Sequence, residues 1–282
     1  MAETSPSRSR PRPRTRLGWA TPYVVVAQSR LRAQRTYRTS FVFDLFGSLV
    51  VGLAELGEVW VVFHNVKVLG GLDFSAVLLL FGLSNLAFSL GDMVFGHIDN
   101  IPEYIRAGTL EAFYLRPQPV LAQLMVSDIQ LRRLARSGVA VAALVAGLVV
   151  NDIHWGPSTI ALLLLTTLSG VAIFGGLFVW AGALQFRLVG GGEVTNSFTY
   201  GGSYASAQPA SVFPTALKVT FGYLVPVVFT AYLPTLRLLD LPSPSLLPSW
   251  LAWLTPVAAL WVWGVAALLW RDGTRHYQSG GG

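Results

Sequence analysis

The sequence of 282 residues is 53% hydrophobic and only 12% charged, whereas soluble domains carry roughly 25% charged residues, so most of the chain is not expected to face water. It contains no cysteine, which excludes disulfide frameworks, thiolate nucleophiles, iron–sulfur sites and cysteine-based zinc sites. The net charge is +6 and all but two of the 20 basic residues are arginines, so their placement is more informative than their sum.

The N-terminal 40 residues are basic and predict two segments before the first membrane span. Residues 1–21 are rich in Pro, Ser and Arg and are expected to form a disordered tail. Residues 22–40 have the pattern of an amphipathic helix on the inner leaflet, with Val25 toward lipid and Arg35 toward headgroups; an ordinary cytoplasmic helix is the alternative. A cleaved signal peptide is not expected, because the apolar stretch before Arg30 is too short. The tail lacks interleaved aromatic residues, so we expect it to contact anionic lipid and no nucleic acid.

Six apolar stretches are long enough to cross a bilayer, whose hydrocarbon core of about 30 Å requires about 20 mostly apolar helical residues. The fifth contains Pro226 and Pro234, which transmembrane helices accept when neighbours satisfy the freed backbone groups. We therefore predict an all-α integral membrane protein with six spans over 41–271 and a cytoplasmic tail over 272–282. The predicted spans are 42–65, 74–96, 134–152, 158–186, 217–239 and 249–270.

Basic residues fall almost entirely on one side of these spans. If the N-terminus is cytoplasmic, every Lys and Arg except Lys67 and Arg237 lies in an inside segment. Cytoplasmic loops of membrane proteins carry such an excess of positive charge, so both termini are predicted to be cytoplasmic. Trp250 and Trp253 would then lie at the outer interface, and Trp270 at the inner one.

Sequence motifs for catalysis are missing. Neither lysine follows a glycine as G-x-x-x-x-G-K-[ST] requires, so the chain has no nucleotide-binding loop of that type. The motifs H-E-x-x-H and G-x-S-x-G do not occur, and the four histidines are scattered singly. We therefore do not expect an enzyme, and we expect this chain to bind no cofactor or metal.

A charged stretch, IPEYIRAGTLEAFYLRP (101–117), lies between spans two and three on the predicted cytoplasmic side. Asn100 can cap a first short helix, Gly108 can end it in a left-handed conformation, and Thr109 can cap a second. The second helix is expected to expose apolar and aromatic side chains beside an arginine, which is typical of a surface that binds a protein; a helix lying on the membrane without a partner fits the pattern equally well. The candidate docking residues are Glu103, Arg106, Gly108, Leu110, Glu111, Phe113, Tyr114 and Arg116.

Three carboxylates lie on one face of the first span. At about 100° per residue, Asp44, Glu55 and Glu58 project within a narrow sector. Carboxylates at membrane depth are costly and usually face a bundle interior, a cavity or a partner. They are a candidate translocation path, in which they would attract cationic amphiphiles or remain protonated. The alternative is structural, with hydrogen bonds to polar residues of the second span, namely Ser84, Asn85 or Ser89.

The run AGTLEAFYLRPQPVLAQLM (107–125) resembles the signature of the type-2 ABC exporter permease family, in its bacterial branch of uncharacterised transport systems. That branch shows Arg–Gly, a Leu–acidic pair and Leu–Arg–Pro before an apolar stretch; here Ala107 replaces the basic residue and Tyr114 stands where Leu is commoner. Two further segments are similar to the family, AQRTYRTSF (33–41) before span one and RHYQSGGG (275–282) at the C-terminus.

The resemblance implies six helices with an interfacial helix at the N-terminus, in a multi-pass protein of the bacterial cell membrane. It implies that the 100–117 region is a coupling helix seated in a groove of a separate ABC ATPase subunit, present in two copies, which binds ATP and Mg²⁺ with its own residues. It also implies a second permease subunit, expected to be a different homologous chain. In the family the loop before span six often re-enters the membrane, so 238–250 is either such a segment or a plain outer loop. The segment 189–216 is predicted to be a long polar loop on the inner side.

Two functions from different classes follow from these observations. The leading hypothesis is the permease subunit of an ATP-driven exporter of an amphiphilic drug, lipid or peptide, working by alternating access or by a squeezed central path. The alternative is a proton-coupled carrier that uses Glu55 and Glu58. An intramembrane enzyme lacks a nucleophile or metal set. Vanadate would stop transport by the exporter, and a protonophore would stop transport by the carrier.

Overall fold

The computed structural model describes part of the chain, namely residue 28 and residues 38–128, 131–188 and 192–277. The predicted basic tail over 1–21, nearly all of the predicted interfacial helix over 22–40 and the last five residues lie outside the described residues.

The described residues form helices joined by short turns, which confirms the all-α prediction, and the β contact found among them is an isolated bridge between Leu69 and Leu72. The α-helices are α1 (Arg38–Asn65), α2 (Phe74–Phe95), α3 (Ile101–Arg106), α4 (Glu111–Tyr114), α5 (Val120–Ser127), α6 (Leu134–Val150), α7 (Pro157–Gln185), α8 (Gly192–Ser206), α9 (Thr215–Val219), α10 (Tyr232–Leu238) and α11 (Thr255–His276). Short 3₁₀ segments cover Gly96–Asn100, Leu131–Arg133, Ala210–Val212, Val227–Phe229 and Ser249–Leu254, and a π-helical turn covers Thr220–Leu224.

Four helical stretches are long and apolar enough to cross a membrane, and they coincide with predicted spans one, two, four and six: Thr39–Asn65, Phe74–Arg106, Pro157–Gln185 and Ser249–His276. The predicted third span is the apolar helix α6, which has only 17 residues. It ends where the Asn151 side chain turns back and donates to the Gly147 carbonyl at 2.6 Å. The same amide donates to the Ser75 carbonyl at 2.8 Å and so fastens the end of α6 to the start of α2.

Helix α2 is the centre of the bundle, with α6 and α7 packed closely on it. A Cβ atom added at Gly147 of α6 would lie 2.6 Å from the Leu79 Cα atom of α2, and a Cβ atom at Gly91 of α2 would lie 3.0 Å from the Phe174 Cβ atom of α7. Small residues let helix backbones approach in this way, which is a common means of association in membranes.

Helix α8 corrects the prediction of a long polar loop over 189–216. Its residues are mostly Gly, Ser, Thr and Tyr, which pack against α2 and α7 but lower the hydropathy of the segment, so an apolar-run criterion does not recognise it. Three contacts mark its course along α2 from the end near α3 to the opposite end near the α1–α2 turn: the Tyr200 ring packs on Phe88, Ser206 hydrogen-bonds with Ser84, and beyond the helix the Ser211 hydroxyl donates to the Gly70 carbonyl.

The predicted fifth span over 217–239 is not one continuous helix. It consists of two helical stretches, Thr215–Leu224 and Val227–Leu238, that meet at an angle of 74°. Pro226 lies in the break, where its missing N–H and fixed φ interrupt the helical hydrogen bonds. Residues 241–248 add no further helix; Leu247 is buried and would contact a Cβ atom placed at Gly222 of the π-helical turn.

Candidate functional site

The 101–119 hairpin contains α3 and α4 and lies at one end of the bundle, here called the hairpin end. Gly108 has φ +64° and follows the Ala107 cap of α3, as its predicted left-handed position requires. The amides of Thr109 and Leu110 then both donate to the Tyr104 carbonyl, at 3.0 and 3.2 Å. The prediction of two short helices separated by Gly108 is therefore confirmed.

The predicted caps of these helices are wrong. Asn100 makes no capping hydrogen bond, because its side-chain amide lies 3.1 Å from His97 Nδ1. The residue before α4 is Leu110 and not Thr109, whose hydroxyl lies 3.5 Å from the Tyr104 carbonyl. The turn around Gly108 satisfies the Tyr104 carbonyl near the end of α3 and does not replace a cap at the start of either helix.

Two of the predicted docking residues face inward. Leu110 is fully buried and Phe113 is 9% exposed, because α4 lies with this side on α3 and α5. The Phe113 ring packs edge-on against the Tyr104 ring with 5.2 Å between centroids. The Phe113 backbone carbonyl accepts a hydrogen bond from the Gln123 side chain at 2.9 Å. These apolar residues hold the hairpin together and do not form an exposed aromatic surface.

The exposed side of the hairpin is formed by the other candidates and by one residue that the sequence reasoning missed. Leu115 is 87% exposed, the highest value among the large apolar side chains of the described residues. Leu115 is the first residue of the Leu–Arg–Pro element and directly follows Tyr114. The docking residues inferred from this stretch included its neighbours Tyr114 and Arg116 but not Leu115. The exposed residues of the hairpin include Glu103, Arg106, Gly108, Glu111, Tyr114, Leu115 and Arg116.

Tyr114 connects the hairpin to the C-terminal end of α11. Its ring stacks on the ring of Tyr277 with 5.7 Å between centroids and 3° between planes. Tyr277 also packs edge-on against Phe186, which follows α7. Burial, and secondarily the neighbouring Tyr277, raises the pKa of the Tyr114 phenol above its ordinary value, so the stacked pair is uncharged at neutral pH.

A cavity of about 350 Å³ lies between α1, α2, α6 and α8; we call it the α1–α8 cavity. Its wall combines apolar and aromatic side chains with a few polar groups, as small-molecule sites usually do. The predicted path residues Glu55 and Glu58 both line it. The full lining is Val51, Glu55, Glu58, Val59, Phe81, Asn85, Phe88, Arg136, Tyr200, Ser203, Tyr204, Ala207 and Gln208.

Glu55 is paired with Arg136 of α6. The Arg136 Nη2 atom lies 2.6 and 2.8 Å from the two carboxylate oxygens, and its guanidinium lies 4.9 Å from the centre of the Phe88 ring. Arg136 Nη2 also donates to Asn85 Oδ1 at 3.3 Å. Arg136 was counted with the inside arginines, so no pairing with Glu55 was predicted; an arginine at the start of a short span is the signal that could have suggested it.

The structural alternative for these carboxylates named the wrong partners. Ser84 bonds Ser206, and Ser89 accepts a hydrogen bond from Ser137, at 2.5 and 2.9 Å. Asn85 reaches Glu55 only through Arg136.

Glu58 and Asp44 have different surroundings from Glu55. Glu58 is exposed to the cavity and accepts a hydrogen bond from the Tyr204 hydroxyl at 2.9 Å. Asp44 is not in the α1–α8 cavity; it lines a neighbouring cleft with Arg133 and Arg136. The structure therefore brings together two of the three predicted path carboxylates.

A second buried ion pair lies between this cavity and the hairpin. Asp92 of α2 is fully buried and pairs with Arg133, which precedes α6. Tyr200 donates a hydrogen bond to Asp99 at 3.2 Å nearby. An aspartate in an apolar span is itself a functional or structural signal, and sequence reasoning passed over Asp92. Within the described residues, no group of three or more potential metal ligands comes together.

Comparison with known proteins gives one family. The model of the family described as ABC-2 family transporter protein matches residues 49–281, from the middle of α1 to the C-terminus. None of the curated proteins and none of the solved structures compared with the chain matches it.

Proposed function

The chain belongs to the ABC-2 transporter family and is a multi-pass permease subunit of an ABC transporter; on that premise we propose that it exports an amphiphilic substrate across a bacterial cell membrane. A separate ATPase subunit, in two copies, binds ATP and Mg²⁺ and drives the cycle. A second permease, a different homologous chain, completes the path.

The hairpin end of the bundle faces the cytoplasm in this proposal. Arg106, Arg116, Arg133 and Arg187 lie at that end, in agreement with the charge bias of membrane proteins. Six spans result when α8 and residues 210–212 serve as the fifth, since this segment follows α2 along its length. The bent stretch over 215–238 then folds back from the outer side, just before residues 238–250, for which a re-entrant segment and a plain outer loop were both expected.

The exposed side of the hairpin docks on the ATPase subunit. The observation that carries this step is the contrast within the hairpin, whose base is buried through Leu110 and Phe113 while Leu115 is 87% exposed between Tyr114 and Arg116. Tyr and Arg are enriched at the energetic centres of interfaces, and both of these neighbours are exposed. Arg116 lies 5.9 Å from the Phe113 ring centre, so the buried base fixes the position of the exposed charge.

Movement of the hairpin reaches the membrane spans by two routes. On one side, His97 Nε2 lies 2.8 Å from the Tyr104 hydroxyl and connects α3 to the end of α2. On the other, the Tyr114–Tyr277 stack connects α4 to α11. Closure of the ATPase would thus displace α2 and α11 together and change access to the α1–α8 cavity.

Two substitutions test the docking role. In reconstituted complexes, Leu115→Glu and Arg116→Glu should each lower substrate-stimulated ATP hydrolysis at least about tenfold, since an apolar or charged anchor at the centre of an interface contributes about 2 kcal/mol or more. Arg275→Glu makes the same charge change at an exposed site near the end of α11 and should leave hydrolysis unchanged. Undiminished stimulated hydrolysis in both hairpin variants, with the ATPase still bound, would place the docking surface elsewhere.

The proton-coupled carrier is the second candidate, because Glu55 and Glu58 line one cavity. The geometry favours it less for Glu55, because both oxygens of that carboxylate are already occupied by Arg136. Transport that a protonophore abolishes while ATP is present, and that vanadate leaves intact, would favour the carrier.

A further inference from the structure

The charges around the α1–α8 cavity do not balance. The wall contains two glutamates and one arginine. Of these three side chains, Glu55 and Arg136 neutralise each other. Glu58 is left with a hydrogen bond from the neutral Tyr204 hydroxyl. In the part of the chain that the structure describes, no basic group lies within 4 Å of the Glu58 carboxylate.

Glu58 lies at a depth where an unbalanced charge is costly. It precedes Asn65, the last residue of α1, by seven residues, which corresponds to about 10 Å along the helix. The span Thr39–Asn65 has 27 residues and is about 40 Å long, so it extends beyond a hydrocarbon core of about 30 Å at both ends. Glu58 then lies a few ångströms inside the core, where a carboxylate requires a counter-charge, a proton or water. The cavity provides the space for a counter-charge that enters and leaves.

The wall near Glu58 suits an organic cation better than a metal ion. The Tyr204 ring is 60% exposed beside the carboxylate that its hydroxyl contacts, and Phe81 and Tyr200 also line the cavity. Aromatic faces attract alkylammonium and similar cations and also pack on their apolar parts. A single carboxylate with aromatic neighbours lacks the several oxygen ligands that Ca²⁺ or Mg²⁺ needs.

We propose that the α1–α8 cavity binds an organic monocation with an apolar body, its charge held by Glu58 and its body packed on Tyr204 and Phe81. This inference rests on the proposed function, because it names the substrate class of the exporter. The Glu55–Arg136 pair has a supporting role: by neutralising Arg136 it prevents the arginine from repelling the cation or occupying Glu58 itself.

The test uses two ions of nearly equal size and opposite charge, tetraphenylphosphonium and tetraphenylborate. Their binding is measured at equilibrium on the intact permease–ATPase complex in lipid nanodiscs. Tetraphenylphosphonium should bind saturably and tetraphenylborate should not. Glu58→Gln should weaken tetraphenylphosphonium binding at least about tenfold, as loss of one member of a desolvated charge pair does. Asp152→Asn, the same change at an exposed site in the α6–α7 turn, should have no effect.

Tyr204 separates the contribution of the ring from that of the hydroxyl. Tyr204→Phe should leave binding within about threefold of the unmodified complex, and Tyr204→Ala should weaken it by about fivefold or more, because the cation–π contact is lost. Equal affinity for both ions, or binding unaffected by Glu58→Gln, would overturn the proposal. So would loss of permease pairing in Glu58→Gln, since a basic residue of the second permease would then be the counter-charge.

ATP hydrolysis measured on the same samples keeps the two proposals apart. If the two ions bind equally well in a complex whose ATPase remains coupled, the cation site is rejected and the exporter is not. Purification without any ATPase subunit would reject the exporter, and the binding of the two ions would still decide the cation site.

Discussion

Helices α1 and α2 follow each other in the chain and have similar composition, yet their surroundings differ sharply. In the most apolar window of α2, 78% of residues are buried within the chain, whereas in that of α1 only 11% are buried. Phe88 of α2 is fully buried, while Phe43 and Phe46 of α1 are 72% and 64% exposed. Helix α1 contacts the rest of the bundle mainly along the side that carries Glu55 and Glu58.

This difference indicates where the remaining interactions of the protein are. Apolar residues of α2 find their partners inside the chain, so they determine the fold. Most apolar residues of α1 are exposed in the chain itself and are available to lipid or to the proposed second permease, and the polar pairs at the α1–α8 cavity help to hold the helix in place. A helix fixed by a few polar contacts can move at lower cost than one packed on all sides, which fits a wall of a transport path.

The largest effect is expected from a substitution that disrupts the packing of α6 on α2. Gly147→Leu should prevent α6 from reaching α2, because even a Cβ atom would lie 2.6 Å from the Leu79 backbone, and the cost should exceed the roughly 1–3 kcal/mol of ordinary overpacking. We expect no monodisperse peak in size-exclusion chromatography. Gly57→Leu on α1 is the matched control: no atom outside its own helix lies within 4 Å of a Cβ there, so the chain should fold normally. If both variants elute alike in size-exclusion chromatography, the claim that α2 is packed within the chain more closely than α1 is wrong.

An intermediate effect is expected at the contact that joins α1 to the bundle. Arg136→Met leaves Glu55 without its partner and should lower stability by about 3 kcal/mol, near the lower limit for a broken buried pair, because the Glu55 side chain is 32% exposed. Adding Glu55→Gln should restore most of the loss. Thermal unfolding in detergent measures both variants. A double variant as unstable as the single one would show that Arg136 stabilises the fold by other contacts.

The smallest effect is expected on the exposed side of α1, at Phe46, which is compared with the buried Phe88 of α2. Phe46→Ala should change the stability of the isolated chain by less than about 0.5 kcal/mol, as for exposed positions in general, while Phe88→Ala should cost about 3–5 kcal/mol. Both variants are measured in the same unfolding experiment, and Phe46→Ala is then measured in the assembled complex. A large loss in the isolated chain would mean that the exposed side of α1 has a partner within the chain.

The sequence predicted the helices whose partners are lipid or apolar core, and it failed where packing is polar. Spans one, two, four and six are visible as apolar runs, and Gly108 marks the hairpin turn because its φ of +64° favours glycine. Helix α8 was missed because its polar residues are paired within the bundle: its Ser and Tyr hydroxyls contact Ser84, Asp99 and Glu58. Such contacts between distant parts of the chain leave no local pattern in the sequence.

The candidate site shows the same limit. The spacing of Glu55 and Glu58 placed them on one face of α1, and both line the cavity. Their partners Arg136 and Tyr204 come from helices far along the chain, so a single sequence does not reveal them. In the hairpin, the sequence pattern selected Phe113 for docking and passed over Leu115; only the packing on Tyr104 shows that Phe113 is buried.

The intact mass of the complex, purified gently from its native membrane by a tag on this chain, tests the central claim most directly. We expect an ATP-binding subunit to accompany the chain at one copy per permease, and the total mass to include a second permease of different sequence. A stable homo-oligomer that transports substrate without any ATP-binding subunit would contradict the account and leave the carrier as the better explanation.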